Sequence, residues 1–387
     1  MVAYVTAGAG HRRAAEALVH ALRARCPGAE IHCLDVLHDA PRWFHAGYNW
    51  SYLFLVQHAP WVWKWSYQTL DRAAFYRVVQ PLRRWWNFRW ADRFVRRLRA
   101  MQPDAVLVTH FLPADLCAAG RQAGWLRGPL TVVVTDFHPH WFWISPGADA
   151  VIAAVPESAA VLRERGVAPE RVHVLGIPVG EAFHAAHDRE ALRRRFDLHP
   201  QRQTVLVTSG GTTVGQFEQV VDGLLALEHA LPGRVQLLVV CGQNDAVRER
   251  LAARAAALAM PMRVFGFVEF MAELMAVSDL VVSKAGGLTV SEALATGVPL
   301  VLYHIIPGQE QMNAHYLARH GAAVIAHEPE GVALAVTRVL QDPRQVQLMC
   351  AAAQALRRPD AADAIVTQVV KPLMARVDAE RRSRRKA

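Results

Sequence analysis

Short runs rich in Val, Leu and Ile alternate with helix-period stretches along nearly the whole chain, and this rhythm restricts the fold to parallel sheets covered by helices. The first half offers strands at Val2–Thr6, Glu30–Val36, Ala105–Thr109, Thr131–Thr135, Ala150–Val155 and Val172–Leu175. The second half offers Thr204–Thr208, Val235–Cys241, Met262–Phe265, Leu280–Ser283, Leu300–Tyr303 and Ala323–Ala326. Each set is followed by helices of ordinary length, so two doubly wound α/β sheets are expected.

At 387 residues the chain exceeds what one hydrophobic core supports, which agrees with two domains. The seam is expected near Gly176–Arg189, where Gly-Ile-Pro-Val-Gly closes the first set of strands. The expected division is residues 1–180, residues 181–358, and a last helix with a basic tail over 359–387 that packs back on the first domain. Five cysteines, widely spaced and without a C-x-x-C pair, suggest neither a disulfide framework nor a zinc site and fit a reducing cytoplasm. The chain opens on strand residues, with no basic segment and long apolar run of a secretory leader. That abrupt start leaves room for a few strand residues upstream.

The formal net charge is +9, and one segment carries it. Between Arg42 and Arg99 there are eleven Lys or Arg against two acids, Asp71 and Asp92, while the rest of the chain balances. The same segment holds eight of the eleven tryptophans and interrupts the β-α rhythm. Indole rings favour the headgroup level of a bilayer, and each Lys or Arg near an anionic surface adds about 1 kcal/mol of attraction. Residues 42–99 are therefore expected to form a platform for an anionic membrane and a lipid acceptor, with Trp61, Trp63, Trp65, Trp85, Trp86, Arg83 and Arg84 in contact. Polar residues and Pro60 break its longest uncharged stretch, so a membrane span is not expected. Inward-packed aromatics with solvated arginines are the other reading. Nucleic acid is not an expected partner, because no recognised nucleic-acid motif accompanies the basic residues.

Four motifs follow strands. Thr6-Ala7-Gly8-Ala9-Gly10-His11 leads from the first strand into a helix, and a neutral imidazole there can take the proton of an attacking hydroxyl. A helix-capping histidine fits the same pattern. Thr208-Ser209-Gly210-Gly211-Thr212 offers small hydroxyls and glycines to phosphate oxygens, or forms a tight turn. Ser283-Lys284-Ala285-Gly286-Gly287-Leu288-Thr289 places a helix start at the carboxyl edge of the sheet, where about half a positive charge and free N–H donors suit a diphosphate. Glu292, one turn further, suits a ribose diol or complements the helix dipole. Gly308, Gln309, Glu310, Gln311 and Asn313 crowd the next helix start with the paired donors and acceptors that sugar hydroxyls need, beyond what capping requires.

Taken together, the last two motifs resemble the donor-binding half of the diacylglycerol glycosyltransferases, the family of monogalactosyldiacylglycerol synthase and processive diacylglycerol glucosyltransferase. That family is related more distantly to the N-acetylglucosaminyltransferase that forms lipid II. The resemblance lies in G-G-L-T-x-x-E-A from Gly286, G-V-P from Gly297 and P-G-Q-E-x-x-N from Pro307. Gly8 to Arg12 resembles the family's opening motif, and Val134 to His138 and Gly176 to Val179 resemble its connecting segments.

The resemblance implies a GT-B fold, two Rossmann-like domains facing across a cleft, in a UDP-sugar-dependent hexosyltransferase. His11 would be the base, with Glu310 as a second catalytic residue and Gly10 beside the donor. Ser209, Gly210, Gly211 and Thr212 would meet the diphosphate together with Lys284, Gly286, Gly287, Leu288 and Thr289. Phe265, Gly266 and Phe267 would hold uracil and Glu292 the ribose, with Gly308, Gln309, Gln311 and Asn313 on the donor sugar. His138 and Trp141 would join the tryptophans on the acceptor side.

Transfer would invert the anomeric centre without a metal, since no D-x-D motif occurs in the chain. No cofactor is expected, the UDP-sugar being a co-substrate, and the protein would sit peripherally on the cytoplasmic face of a membrane. A transferase acting on a polyprenyl-linked acceptor, a UDP-sugar 2-epimerase and a catalytically silent membrane-binding protein are the alternatives.

Overall fold

The computed structural model describes every residue except 7, 42–43, 45–46, 48–53, 57, 211–215 and 387, and leaves out the side chains of 380–381 and 384–386 as well. It divides into two compact units. Unit 1 comprises Met1–Val179 and Asp360–Ala387, and unit 2 comprises Gly180–Pro359.

Each unit is built on a six-stranded, all-parallel sheet. Unit 1 contains β1 (Val2–Tyr4), β2 (Cys33–Asp35), β3 (Val106–Val108), β4 (Leu130–Val133), β5 (Ala150–Ala153) and β6 (Val172–Val174), in the order β2-β1-β3-β4-β5-β6. Unit 2 contains β7 (Gln203–Thr208), β8 (Val235–Val240), β9 (Met262–Phe265), β10 (Leu280–Ser283), β11 (Leu300–Leu302) and β12 (Ala323–Ile325), in the order β12-β11-β10-β7-β8-β9. Every run of apolar residues that reads as a strand is one. Several strands end a residue or two early, because residues such as Thr109 and Thr135 have left the ladder for the turns at its carboxyl edge.

Parallel strands must be covered on both faces, which explains why strands such as β3, β4 and β8 are buried throughout. One face of the first sheet is covered by a cluster including Leu116, Trp143 and Phe94, the other by one including Leu18, Leu22 and Ile365. The chain's last stretch belongs to that second cluster. Ala362, Ile365, Val366, Val369 and Val370, on helix Ala361–Ala364 and a π-helical turn Ile365–Val370, pack against the helix Gly10–Arg25. Arg25 Nε donates to Asp363 at 3.0 Å across that contact.

The Trp-rich segment departs from this pattern. The helix Pro60–Leu70 has no buried residue, and Ala73–Trp90 buries only Tyr76 and Asn87. Trp61 is 75% exposed, Trp65 66%, Trp85 61% and Trp86 45%, with Phe75, Val78 and Leu82 exposed beside them. Trp63 is half-buried, its ring 6.1 Å from that of Tyr67. Arg83 and Arg84 differ from the membrane-facing expectation. Both turn inward to Asp115, at 3.3 and 2.9 Å, because that carboxylate is 3% exposed and needs compensating charge. The helix Asp92–Met101 is strongly amphipathic and belongs to the cover of the sheet, burying Phe94, Val95 and Leu98, so the excursion ends at Trp90 rather than at Arg99. No helix among the described residues is long and apolar enough to cross a membrane.

Candidate active site

An open parallel sheet binds ligands beyond the carboxyl ends of its strands, where the strand order reverses. In unit 1 that point lies between β1 and β3, and in unit 2 between β7 and β10. The glycine-rich motif of residues 8–10 follows β1, Thr109 and His110 follow β3, Ser209 and Gly210 follow β7, and Lys284 to Gly286 follow β10.

Gly10 begins the helix Gly10–Arg25, whose N-cap, Ala9, makes no side-chain capping bond. His11 in its first turn is held by three contacts. Its Nδ1 lies 2.8 Å from the backbone oxygen of Thr109 and 3.0 Å from Thr135 Oγ1, while Thr109 Oγ1 donates to the His11 carbonyl at 2.8 Å. A carbonyl only accepts, so Nδ1 carries the proton and Nε2 keeps its lone pair. Burial pushes His11 down to about 4 despite the Thr109 contact, which leaves the imidazole neutral at pH 7. The His110 ring stands edge-on at 4.6 Å, and its Nδ1 accepts the N–H of Leu112 to cap the helix Phe111–Gln122.

Asp71 ties the exposed helices to the segment after β4. Lying between Pro60–Leu70 and Ala73–Trp90, it accepts the Trp141 N–H at 3.0 Å and both terminal nitrogens of Arg165 at 2.6 and 3.0 Å. His138 Nε2 lies 3.3 Å from Arg165, and the Trp141 ring lies 5.4 Å beneath that guanidinium. The hydrogen bonds from His138 and Arg165 outweigh burial and hold Asp71 well below the ordinary carboxylate range. His138 and Trp141 are thus joined to the aromatic platform through one carboxylate. This network was not legible in the sequence, where Asp71 is a lone acid among arginines.

In unit 2 the helix Gly287–Thr296 starts at Gly286, with no side-chain cap and no acidic residue in its first turn. A Cβ added at Gly286 or at Gly210 would meet nothing within 4 Å, so both turns border open space. The N–H groups of Gly287, Leu288 and Thr289 therefore remain available to an anion. Lys284 is 9% exposed, and burial lowers its pKa while the nearby Glu310 raises it. Ser283 Oγ and Gln309 Oε1 are buried without a hydrogen-bond partner among the described residues, which marks two places for a ligand's hydroxyls or waters. Glu292 is 3% exposed in the second turn of the same helix.

The fourth motif divides its labour. Gly308 has φ +107°, a conformation that favours glycine, and it opens the helix Gln309–Arg319. Glu310 Oε2 accepts the Ile306 N–H at 3.2 Å, and Gln311 is half-buried. Asn313 departs from the expectation that it faces a sugar. It is fully buried and donates Nδ2 to the Ala285 oxygen at 2.9 Å, which fixes the turn before Gly286. At the end of β9, Phe265 and Gly266 are half-buried and Phe267 is 43% exposed. Gly211 and Thr212 lie outside the described residues.

The fold is shared with several solved proteins. Acinetobacter baumannii MurG matches with TM-score 0.63 at 19% identity, covering 96% of this chain and 99% of that one. S. aureus MnaA, solved with UDP, matches with TM-score 0.57 at 15% identity over 72% and 78%. The two-domain α/β architecture is that of the GT-B class, and the protein is a UDP-sugar glycosyltransferase. Residues 11–179 match the family "Monogalactosyldiacylglycerol (MGDG) synthase", and residues 204–365 match "Glycosyltransferase family 28 C-terminal domain". Processive diacylglycerol beta-glucosyltransferases are 30% identical: that of Bacillus thuringiensis (strain Al Hakam) over 73% of this chain and 72% of its own, that of Bacillus pumilus (strain SAFR-032) over 69% and 68%. The chain belongs to the diacylglycerol glycosyltransferase family.

Proposed function

We propose that this protein transfers a hexose from a UDP-sugar to a membrane lipid, diacylglycerol or a glycosyl-diacylglycerol, with inversion at the anomeric carbon and without a metal. The observation that carries this reading is the fixed tautomer of His11, whose Nε2 is the free acceptor at the carboxyl edge of the first sheet. In the reaction, the acceptor hydroxyl gives its proton to Nε2 as its oxygen bonds to the anomeric carbon. The bond from that carbon to the diphosphate breaks on the opposite side, and UDP leaves with the electron pair.

The growing charge on UDP would be met by the open N-terminus of Gly287–Thr296 and by Lys284, a fixed cationic site that gains strength from burial. Ser209 and Gly210 would complete the diphosphate site, Phe265 to Phe267 the uracil site and Glu292 the ribose site. Gln309 would present its unpartnered Oε1 to the donor sugar. Glu310 would assist from beside Lys284. No cofactor is needed beyond the UDP-sugar co-substrate. The exposed Trp61, Trp65, Trp85 and Trp86 would dock the protein peripherally on the anionic cytoplasmic face of a membrane.

The test is incubation with UDP-glucose, UDP-galactose or UDP-N-acetylglucosamine and a total lipid extract, with products identified by mass. A hexose-bearing glycerolipid, formed without added metal and in the anomeric configuration opposite to the donor's, is the expected result. Conversion of the UDP-sugar without lipid, or sugar transfer only to a polyprenyl-linked acceptor, would overturn the reading.

A further inference from the structure

A second histidine has no task in the transfer just described. His110 follows β3 and is 2% exposed, and its ring stands 4.6 Å from that of His11 at an interplanar angle of 85°. The preceding residue ties the two together. The Thr109 carbonyl accepts the His11 Nδ1–H at 2.8 Å, and the Thr109 hydroxyl donates to the His11 carbonyl at 2.8 Å. His110 is itself fixed from its far side, because its Nδ1 accepts the Leu112 N–H at 3.0 Å where the helix Phe111–Gln122 begins. Its ring also lies 4.0 Å from that of Phe111. Capping alone does not explain an imidazole here, since the oxygen of a Ser, Thr, Asp or Asn side chain is the usual cap.

A base must keep its lone pair in line with the incoming hydroxyl, and a misplacement of about 1 Å can cost about a hundredfold in rate. The contacts of Nδ1 with Thr109 and Thr135 fix one corner of the His11 ring but leave its plane able to turn about that corner. A ring packed across it removes that freedom and excludes water from the same side. We propose that His110 is a positioning residue for the transfer: anchored on the start of Phe111–Gln122, its ring is the wall that holds the His11 imidazole at one angle and keeps water from it. This inference rests on the reading of His11 as the base. Burial, His11 and the Arg83 guanidinium all hold His110 well below its ordinary value, so the wall is itself neutral. The other ionisable groups around His11 are Arg12 and Arg13 on its own helix and Asp136, which accepts the indole N–H of Trp143 at 3.3 Å, the Trp143 ring lying 6.4 Å from that of His11.

The test separates the ring from the cap. His110→Asn keeps an oxygen for the Leu112 N–H and loses the ring, whereas His110→Phe keeps a ring and loses the cap. Wild type and both variants are assayed on lipid vesicles between pH 5 and pH 8, with UDP affinity measured beside turnover. In His110→Asn, water reaching the base should move the acid limb of kcat/KM up toward the ordinary imidazole value near 6.5, so that about tenfold of the rate is lost between pH 7.5 and pH 5.5. Over the same interval His110→Phe should follow wild type within about threefold. The position of the limb does not depend on how much of a variant is folded, and Asp136 is present in all three proteins. A limb in His110→Asn that coincides with that of wild type, or one in His110→Phe displaced as far as in His110→Asn, overturns the inference and leaves sugar transfer standing. No product from wild type at any pH would instead remove the reading beneath it.

Discussion

Asn313 and Ala285 are joined by a 2.9 Å hydrogen bond from a side-chain amide to a backbone carbonyl, with the asparagine completely buried. The bond ties the helix Gln309–Arg319 to the turn from which the N-terminus of Gly287–Thr296 opens. Replacing Asn313 by Ala strands a buried carbonyl, at a cost of about 1–3 kcal/mol, and frees the turn to move. UDP affinity should fall by roughly tenfold, measured by calorimetric titration. Undiminished affinity would mean that the turn is held by its own backbone.

His11→Ala should lower kcat by about two to four orders of magnitude while UDP binding persists, because in the proposed reaction the imidazole would serve the acceptor and not the nucleotide. Single-turnover kinetics beside UDP titration separate the two effects. Turnover within about threefold of wild type would remove His11 from the proton transfer.

Asp136 carries a stability cost. Burial raises its carboxyl to about 6 against an ordinary 3.8, so the folded state is penalised wherever the group must ionise. The native pKa is the higher one, so the favourable contribution is complete below about 3.8 and is lost as pH rises through about 6. Asp136→Asn should therefore raise stability at pH 7.5 by up to about 3 kcal/mol, a gain that vanishes near pH 4. Chemical denaturation at the two pH values reads it out.

Acid sensitivity is expected to begin with imidazoles. Burial holds His11 and His140 at about 4 and His110 well below its ordinary value. An unfolded imidazole takes its proton near 6.5 and these do not, so their contribution is intact above that value and is lost as pH falls toward 4. Asp136 opposes this and Asp71 joins it only at lower pH, its native value lying below the carboxylate range. The melting temperature should decline from pH 6.5 to pH 4.5. A flat or rising profile over that interval would contradict neutral buried histidines.

Replacing Trp61, Trp65 and Trp85 together by Ser should cut association with anionic vesicles by at least about tenfold, since each ring exposes most of its surface and supports no core. Sedimentation with vesicles of phosphatidylglycerol and phosphatidylcholine measures the loss, and UDP affinity should be retained. Unchanged sedimentation would place the membrane contact elsewhere.

The twelve strands rest on a feature that periodicity can carry, apolar runs that are each bounded by turn residues and too short for a helix, whereas their order in the sheets was not read. The turn before Gly287–Thr296 was legible for the same reason, as a pair of glycines between an apolar run and a helical period, and Gly308 sits at φ +107°, where backbone freedom explains a glycine. What could not be read was the direction of charged side chains within the Trp-rich segment. Arg83 and Arg84 look like Arg89 in sequence, yet Asp115, on a helix beginning at Phe111, draws them inward. Asn313 misled for a related reason: a polar side chain at a helix start can face a ligand or its own scaffold, and the choice depends on Ala285, a residue of no chemical distinction.

Unit 1 is discontinuous, interrupted after Val179 and resumed at Asp360, and Ile365, Val366, Val369 and Val370 complete one of its two apolar faces. Unit 2 is continuous in sequence and can therefore fold without waiting for any segment outside Gly180–Pro359. The half with the exposed tryptophans must wait for residues 361–370 before the helix Gly10–Arg25 finds its cover. A chain truncated after residue 359 would keep every residue of unit 2 while leaving Leu18 and Leu22 without their cover, so the aromatic surface would then stand on a sheet dressed on one face alone.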